Sequence, residues 1–106
     1  MDQPKVLLIR LKALADQTRL RIIALLTGNE RCVCELRDQL DVPQPLLSFH
    51  LKTLRNAGII TDRRDGRWVH YSLQPHVLAE VEEYLRMLRT APSETPELAG
   101  AGRPRC

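Results

Sequence analysis

The sequence predicts a mainly α-helical domain with one β-hairpin, and three observations lead to that expectation. Apolar residues recur at helical spacing in about five separate stretches. The period switches to two only over residues 59–73. Between the two alternating runs lies Asp65-Gly66, and Asp-Gly is the strongest short-range hairpin signal. The order is helix, helix, two short helices across a tight turn, hairpin, helix, which is the pattern of a winged helix-turn-helix.

Residues 5–14 are apolar almost all round, so this helix is expected to be buried, in part against a second chain. Asp16 is placed to cap a helix over about 17–27, with Leu20, Ile23, Ala24 and Leu26 facing inward, Ile22 and Leu25 beside them, and Gly28 ending it. Residues 33–40 form a short helix with Val33, Leu36 and Leu40 inward, broken by Asp41-Val42-Pro43. Pro45 suits the first turn of the next helix, whose Leu47, Leu51, Leu54 and Ala57 recur at helical spacing up to Gly58. The strands are expected at Ile59–Arg63 and Trp68–Leu73, around an Arg-loaded tip, with Trp68 as a hydrophobic plug beneath the wing. Pro75 opens a last helix over about 76–90, with the wide apolar stripe Val77, Leu78, Val81, Leu85 and Leu88. Residues 1–90 thus form one domain. Residues 91–106 lack periodicity, are rich in Pro, Gly and Ala, and are expected to be a disordered tail.

The size and composition exclude several classes. A chain of 106 residues, 43% hydrophobic and 27% charged, is an ordinary globular composition with no room for a two-domain enzyme. It buries only about two-thirds of its unfolded surface, so its thin core would gain from self-association. The first and last helices carry more apolar surface than one such core hides, and a homodimer is expected. No apolar run approaches the ~18 residues of a membrane-spanning helix, and the opening Met1-Asp2-Gln3-Pro4-Lys5 lacks the features of a signal peptide. A cytoplasmic protein is expected. Neither a Gly-rich phosphate loop nor a nucleophile–base pair is present, so no enzyme and no catalytic cofactor are expected.

The net charge of +3 is modest, but its distribution is uneven. Residues 43–72 carry Lys52, Arg55, Arg63, Arg64 and Arg67 against Asp62 and Asp65, together with His50 and His70. Such a bias is the footprint of a polyanion-binding surface; a solvated charged face is the plainer alternative. In the helix after Pro43, Leu47, Leu51 and Leu54 point inward, which leaves Gln44, Leu46, Ser48, Phe49, His50 and Lys52 nearer the open side. Gln can pair with adenine through both ends of its amide, Ser or His can reach base edges or phosphate, and Leu46 and Phe49 can pack on thymine methyls. Lys52 and Arg55, with Arg63, Arg64 and Arg67 of the hairpin, suit phosphates. Phe49 has core packing as its alternative. Double-stranded DNA is the expected partner, read as an inverted repeat by a dimer; a protein-interaction module is the competing class.

Cys32, Cys34 and Cys106 make an odd count, which argues for free thiols over a disulfide scaffold. Thiolates bind soft metals and metalloids. Residues i and i+2 point to different faces of an α-helix but to the same side of an extended chain. Cys32 and Cys34 therefore grip one ion only if the chain there lies outside regular helix. A Cys32–Cys34 disulfide is disfavoured on the same reasoning, because extended i and i+2 lie ~6.6 Å apart, near the upper limit for the bond. Cys as a small buried hydrophobe is the plain alternative.

Four segments together resemble the ArsR family of metal- and metalloid-responsive repressors. They are Asp16–Leu26, Cys32-Val-Cys-Glu-Leu36, Gln44–Gly58 and Asp65-Gly-Arg-Trp-Val-His-Tyr71. The resemblance covers residues 5–90. It implies a homodimer that represses its own operon until a thiol-binding inducer releases it. Cys-Val-Cys is similar to the arsenical-sensing branch, which implies As(III) or Sb(III) as inducer and Cys32 and Cys34 as ligands. Three departures stand out. Relatives often carry Ser at the position of Pro43, basic residues at those of Leu46 and Phe49, and a third cysteine at that of Arg37. Cys106 is the candidate replacement for that third sulfur, or an idle residue. The zinc-sensing branch is not matched, since His76 stands alone on the last helix and Met87 lies where a second His would be needed. A thiol redox sensor or another metal sensor of the same fold remains the alternative.

Overall fold

The computed structural model describes residues 3–92. Residues 93–106 of the expected tail, Cys106 among them, lie outside the described residues. The elements are α1 (Gln3–Leu14), α2 (Gln17–Leu26), β1 (Arg31–Cys32), α3 (Val33–Leu40), α4 (Gln44–Asn56), β2 (Ile60–Asp65), β3 (Trp68–Leu73) and α5 (Pro75–Thr90). Five helices and an antiparallel wing agree with the fold class read from the sequence. One strand was not foreseen: β1 pairs with β3 to give the sheet order β1-β3-β2. Two residues are too short to show any period, so only the pairing reveals them.

Local chemistry explains the helix boundaries. The Asp16 carboxylate accepts the Arg19 backbone N–H at 3.1 Å, capping α2, and this bond holds the Asp16 carboxyl below its ordinary range. Asp41 ends α3 in the left-handed region, with φ 54°, and its N–H reaches the Arg37 carbonyl. The hairpin closes through Gly66-Arg67, since Asp65 is paired with Trp68. Gly66 has φ 65°, the positive value that the first loop position of the tight hairpin turns requires.

The core gathers Ala13, Ile22, Leu26, Leu36, Leu40, Leu47, Leu51, Leu54, Ala57, Ile59, Ile60 and Val77. Two expectations about it fail for one reason, the phase of an element. In α2, Arg19 turns inward, so Ile22 and Leu26 are buried and Leu20 is exposed. In β3 the alternation places Tyr71 and Leu73 against the core. Trp68 therefore points outward, about half exposed, under the Arg67 guanidinium at 5.7 Å, and is no plug.

The α1 and α5 helices sit together through Arg10 Nη1 and Glu80, 2.6 Å apart. Leu8 and Ile9 of α1 and Leu85, Met87 and Leu88 of α5 remain exposed. This is the surplus apolar surface that the sequence assigned to a partner chain.

Leu54 is fully buried and belongs to α4, so its truncation tests the packing that carries that helix. Leu54→Ala is expected to lower unfolding stability by about 2–5 kcal/mol in urea titrations. A loss below about 1 kcal/mol would show that α4 is not held by this core.

Candidate nucleic-acid interface and thiol site

The exposed side of α4 carries most of the residues expected there. Gln44, Leu46, Ser48, Phe49, Lys52 and Arg55 are all exposed, and Leu47, Leu51 and Leu54 are buried. Phe49 is 58% exposed, which rules out its core alternative within the chain. Arg63, Arg64 and Arg67 are exposed on the wing. Helix face and wing arginines together give a cationic, partly apolar surface suited to a duplex.

His50 is the correction. It is 6% exposed and lies inside, not on the open face. The buried positions of α4 are Leu47, His50, Leu51 and Leu54, the full i, i+3, i+4, i+7 stripe. Reading only the leucines left out the one polar member. Its Nδ1 lies 3.0 Å from Arg19 Nη1; a guanidinium only donates, so Nδ1 accepts. Arg19 also donates from Nε to the Ala13 carbonyl at 2.7 Å and from Nη2 to the Lys12 carbonyl at 3.2 Å. Asp16 Oδ2 is 3.8 Å from the imidazole. These contacts tie the end of α1 and the start of α2 to the back of the recognition helix.

Not every basic residue of the surface stands alone. Arg55 pairs with Asp62 at 3.3 Å. Arg63 donates from Nε and Nη2 to both oxygens of Glu30, at 3.1 and 2.7 Å. Ser72 donates to the same carboxylate at 3.3 Å. The Arg63 hydrogen bonds hold the Glu30 carboxyl below the usual range and raise Arg63 further. Nothing in the sequence spacing marks Glu30 as a partner of the wing, because 33 residues separate it from Arg63.

The thiols occupy the corner between β1 and α3. Cys32 is extended (φ −81°, ψ 161°), pairs with His70 of β3, and is the N-cap of α3. Cys34 is the second residue of that helix. The Glu35 carboxylate accepts the Cys32 N–H at 2.9 Å, one half of a capping box. The chain at 32–34 does not lie wholly outside regular helix, as gripping one ion was expected to require: Cys32 is extended, but Val33 and Cys34 open α3. The corner also brings the Cα atoms to 5.4 Å, and the two sulfurs are joined as a disulfide. The geometric objection to that bond is therefore overturned: it assumed extended chain throughout, whereas the turn into helix shortens the span. Among the described residues no group of three or more His, Cys, Asp or Glu side chains could hold a metal ion, so two sulfurs are what this corner offers.

Scaffold helix α3, the exposed helix α4 and the three-stranded wing define a winged helix-turn-helix fold. Comparison with known proteins agrees. Residues 16–62 match the family described as "Bacterial regulatory protein, arsR family". The chain is 52% identical over 69 residues to the arsenical resistance operon repressor of Escherichia coli, covering 64% of this chain and 59% of that protein. It is 43% identical over 84 residues to the arsenic resistance transcriptional regulator ArsR2 of Pseudomonas putida, covering 78% of this chain and 73% of that one. The solved structure of HlyU from Vibrio cholerae superposes with a TM-score of 0.68 at 35% identity, covering 80% of this chain and 94% of that one. The chain belongs to the arsR family of bacterial regulatory proteins. Its match to the E. coli repressor spans about three-fifths of that protein's length. No helix among the described residues is long and apolar enough to cross a membrane.

The Glu30–Arg63 pair has a pH signature. Because the folded carboxyl titrates below its ordinary 4.5, the pair adds stability above that value and loses it as pH falls through the depressed folded value. Glu30→Gln is expected to lower the thermal midpoint at pH 7, by an amount that shrinks as the pH is taken below 4.5. A difference that stays constant on acidification would contradict the pairing.

Proposed function

We propose that this chain is a dimeric repressor held on an inverted-repeat operator and released when trivalent arsenic or antimony binds the thiolates of Cys32 and Cys34, with Cys106 as the candidate third ligand. The observation that carries this reading is the placement of two adjacent thiols at the N-cap of the helix directly ahead of the recognition helix. The names of relatives similar to this chain, arsenical resistance repressors and regulators, support an arsenic-type inducer. Its site of action is the cytoplasm, where the DNA and the reducing power both are.

The chemistry requires the reduced pair. Two electrons and two protons from a cellular thiol open the disulfide, the donor thiols becoming a disulfide in turn. Arsenous acid then exchanges two hydroxyls for the two sulfurs. Two As–S bonds form, two As–O bonds break, and the thiol protons leave in two waters. Soft As(III) favours sulfur over oxygen, so the exchange is downhill. Gripping one centre fixes the Cys32–Cys34 geometry and acts on the first turn of α3, which the Cys32 backbone caps and whose far end leads into α4.

In the bound dimer, the exposed apolar faces of α1 and α5 meet across a two-fold axis, and two recognition helices address successive major grooves ~34–36 Å apart. Gln44, Ser48, Leu46 and Phe49 reach base edges, while Lys52, Arg55, Arg63, Arg64 and Arg67 contact phosphates. The site reading drops His50 from the DNA contacts because it is buried.

A second reading has its own observation. The joined sulfurs of Cys32 and Cys34 suit a thiol redox sensor, in which oxidation sets the corner and DNA affinity follows. One experiment separates the two. Arsenite is titrated into the complex of reduced protein with its own promoter DNA, followed by fluorescence anisotropy, and compared with peroxide. The proposed function expects arsenite to weaken DNA binding by roughly 5–150-fold, the usual allosteric range. Cys32→Ser and Cys34→Ser should bind DNA normally and lose release, since a hydroxyl is a poor ligand for a soft ion. Cys106→Ser should weaken inducer binding if that sulfur is the third ligand. Normal arsenite release from both Cys32→Ser and Cys34→Ser would refute the assignment, and release by peroxide alone would favour the redox reading.

A further inference from the structure

The base-reading position of α4 is not free. Gln44, the first residue of that helix, has its Oε1 2.7 Å from Nη1 of Arg37 on α3, and both side chains are exposed on the same side as Ser48 and Lys52. The bond spans the Asp41-Val42-Pro43 turn. Pro43, the N-cap, makes no side-chain hydrogen bond to the helix start, so the terminus is ordered from α3 instead. A guanidinium only donates and a side-chain amide has one accepting atom. The pairing therefore fixes which way the amide faces, with the oxygen toward α3 and the NH2 away from it.

We infer that Arg37 is a specificity-determining residue for the DNA read by α4: by engaging the Gln44 amide oxygen it orients that amide to meet the duplex with its NH2. Pairing with adenine needs both ends of the glutamine amide, the oxygen accepting from N6 and the nitrogen donating to N7. The oxygen keeps a second lone pair, but turned toward α3 by Arg37 it is drawn away from the orientation that adenine requires. The NH2 then seeks acceptors, and among major-groove edges guanine offers two, O6 and N7. This alters the adenine preference that the glutamine alone suggests. Arg37 does so from a neighbouring helix, at the position where the sequence departs from a third cysteine. The residue that forgoes a sulfur ligand sets base preference. The inference rests on the DNA-binding reading above.

The test is selection of binding sites from a random duplex library by the reduced full-length chain, followed by affinities for duplexes substituted at each position. Four proteins are compared: parent, Arg37→Ala, Gln44→Ala and the double variant. The parent should prefer guanine at one position per half-site. Arg37→Ala should shift that position, and no other, toward adenine, changing the guanine-to-adenine affinity ratio by about tenfold, within what one good base contact commands. Gln44→Ala should abolish preference there, and the double variant should match Gln44→Ala, since Arg37 acts through Gln44. An unchanged base ranking in Arg37→Ala, or weakening uniform over all duplexes, would overturn the inference while leaving DNA binding intact. Failure of the parent to select any sequence would instead overturn the DNA reading, and this inference with it.

Discussion

The rest of the structure depends on the backbone at Cys32. This residue is at once the last of a strand and the cap of a helix. Its extended conformation lets it pair with His70 of the wing, while its N–H is taken by Glu35 of α3. One residue therefore joins the sheet that carries the wing to the helix that precedes the recognition helix. The two candidate DNA-facing parts, α4 and the wing, are separated in the chain only by residues 57–59. A chain with so thin a core cannot rely on bulk packing alone to fix their relative position. It uses a hydrogen-bonded corner, and the corner carries the thiols.

Around that corner the chain is tied by polar contacts that cross between elements. Glu30, two residues before Cys32, binds Arg63 and Ser72 on the two wing strands. Arg31 donates to the Leu25 carbonyl at the end of α2, at 2.6 Å. Arg19 joins α1 and α2 to His50 behind α4. Arg19 and Arg31 donate to carbonyls in the last turns of α1 and α2, which have no partner within their own helices. Cys32 is thus linked to the wing by the β1–β3 pairing and by the contacts of its neighbour Glu30, and to α4 by α3. This is a contiguous physical connection between the thiols and the candidate DNA surface, and coupling across it is what the thiol variants test.

Much of this was legible in the sequence. Helical spacing, Asp16, the Asp41-Val42-Pro43 break, and Asp-Gly between alternating runs placed five helices and the hairpin, because each is a local signal. That Cys32 and Cys34 lie side by side was legible from their spacing. What was not legible depends on distance along the chain or on phase. β1 exists only through β3. Glu30 gains a role only through Arg63, and Arg37 only through Gln44 across a turn. His50 was misplaced because a histidine amid leucines reads as polar and exposed until the full helical stripe is counted. Trp68 was misplaced because its size suggested burial, whereas strand alternation decided its side. The Cys32–Cys34 geometry was misjudged because two residues were assigned one conformation when the chain changes conformation between them.

The most direct measurement of this account is amide hydrogen exchange on the reduced protein, with and without arsenite. If the Cys32 corner is the joint between sensing and reading, arsenite should change protection at residues 31–37, at the β3 partners His70 and Tyr71, and at the start of α4. The centre of α2 should stay as it was. A change confined to Cys32 and Cys34, with the β1–β3 pairing and the start of α4 untouched, would contradict it.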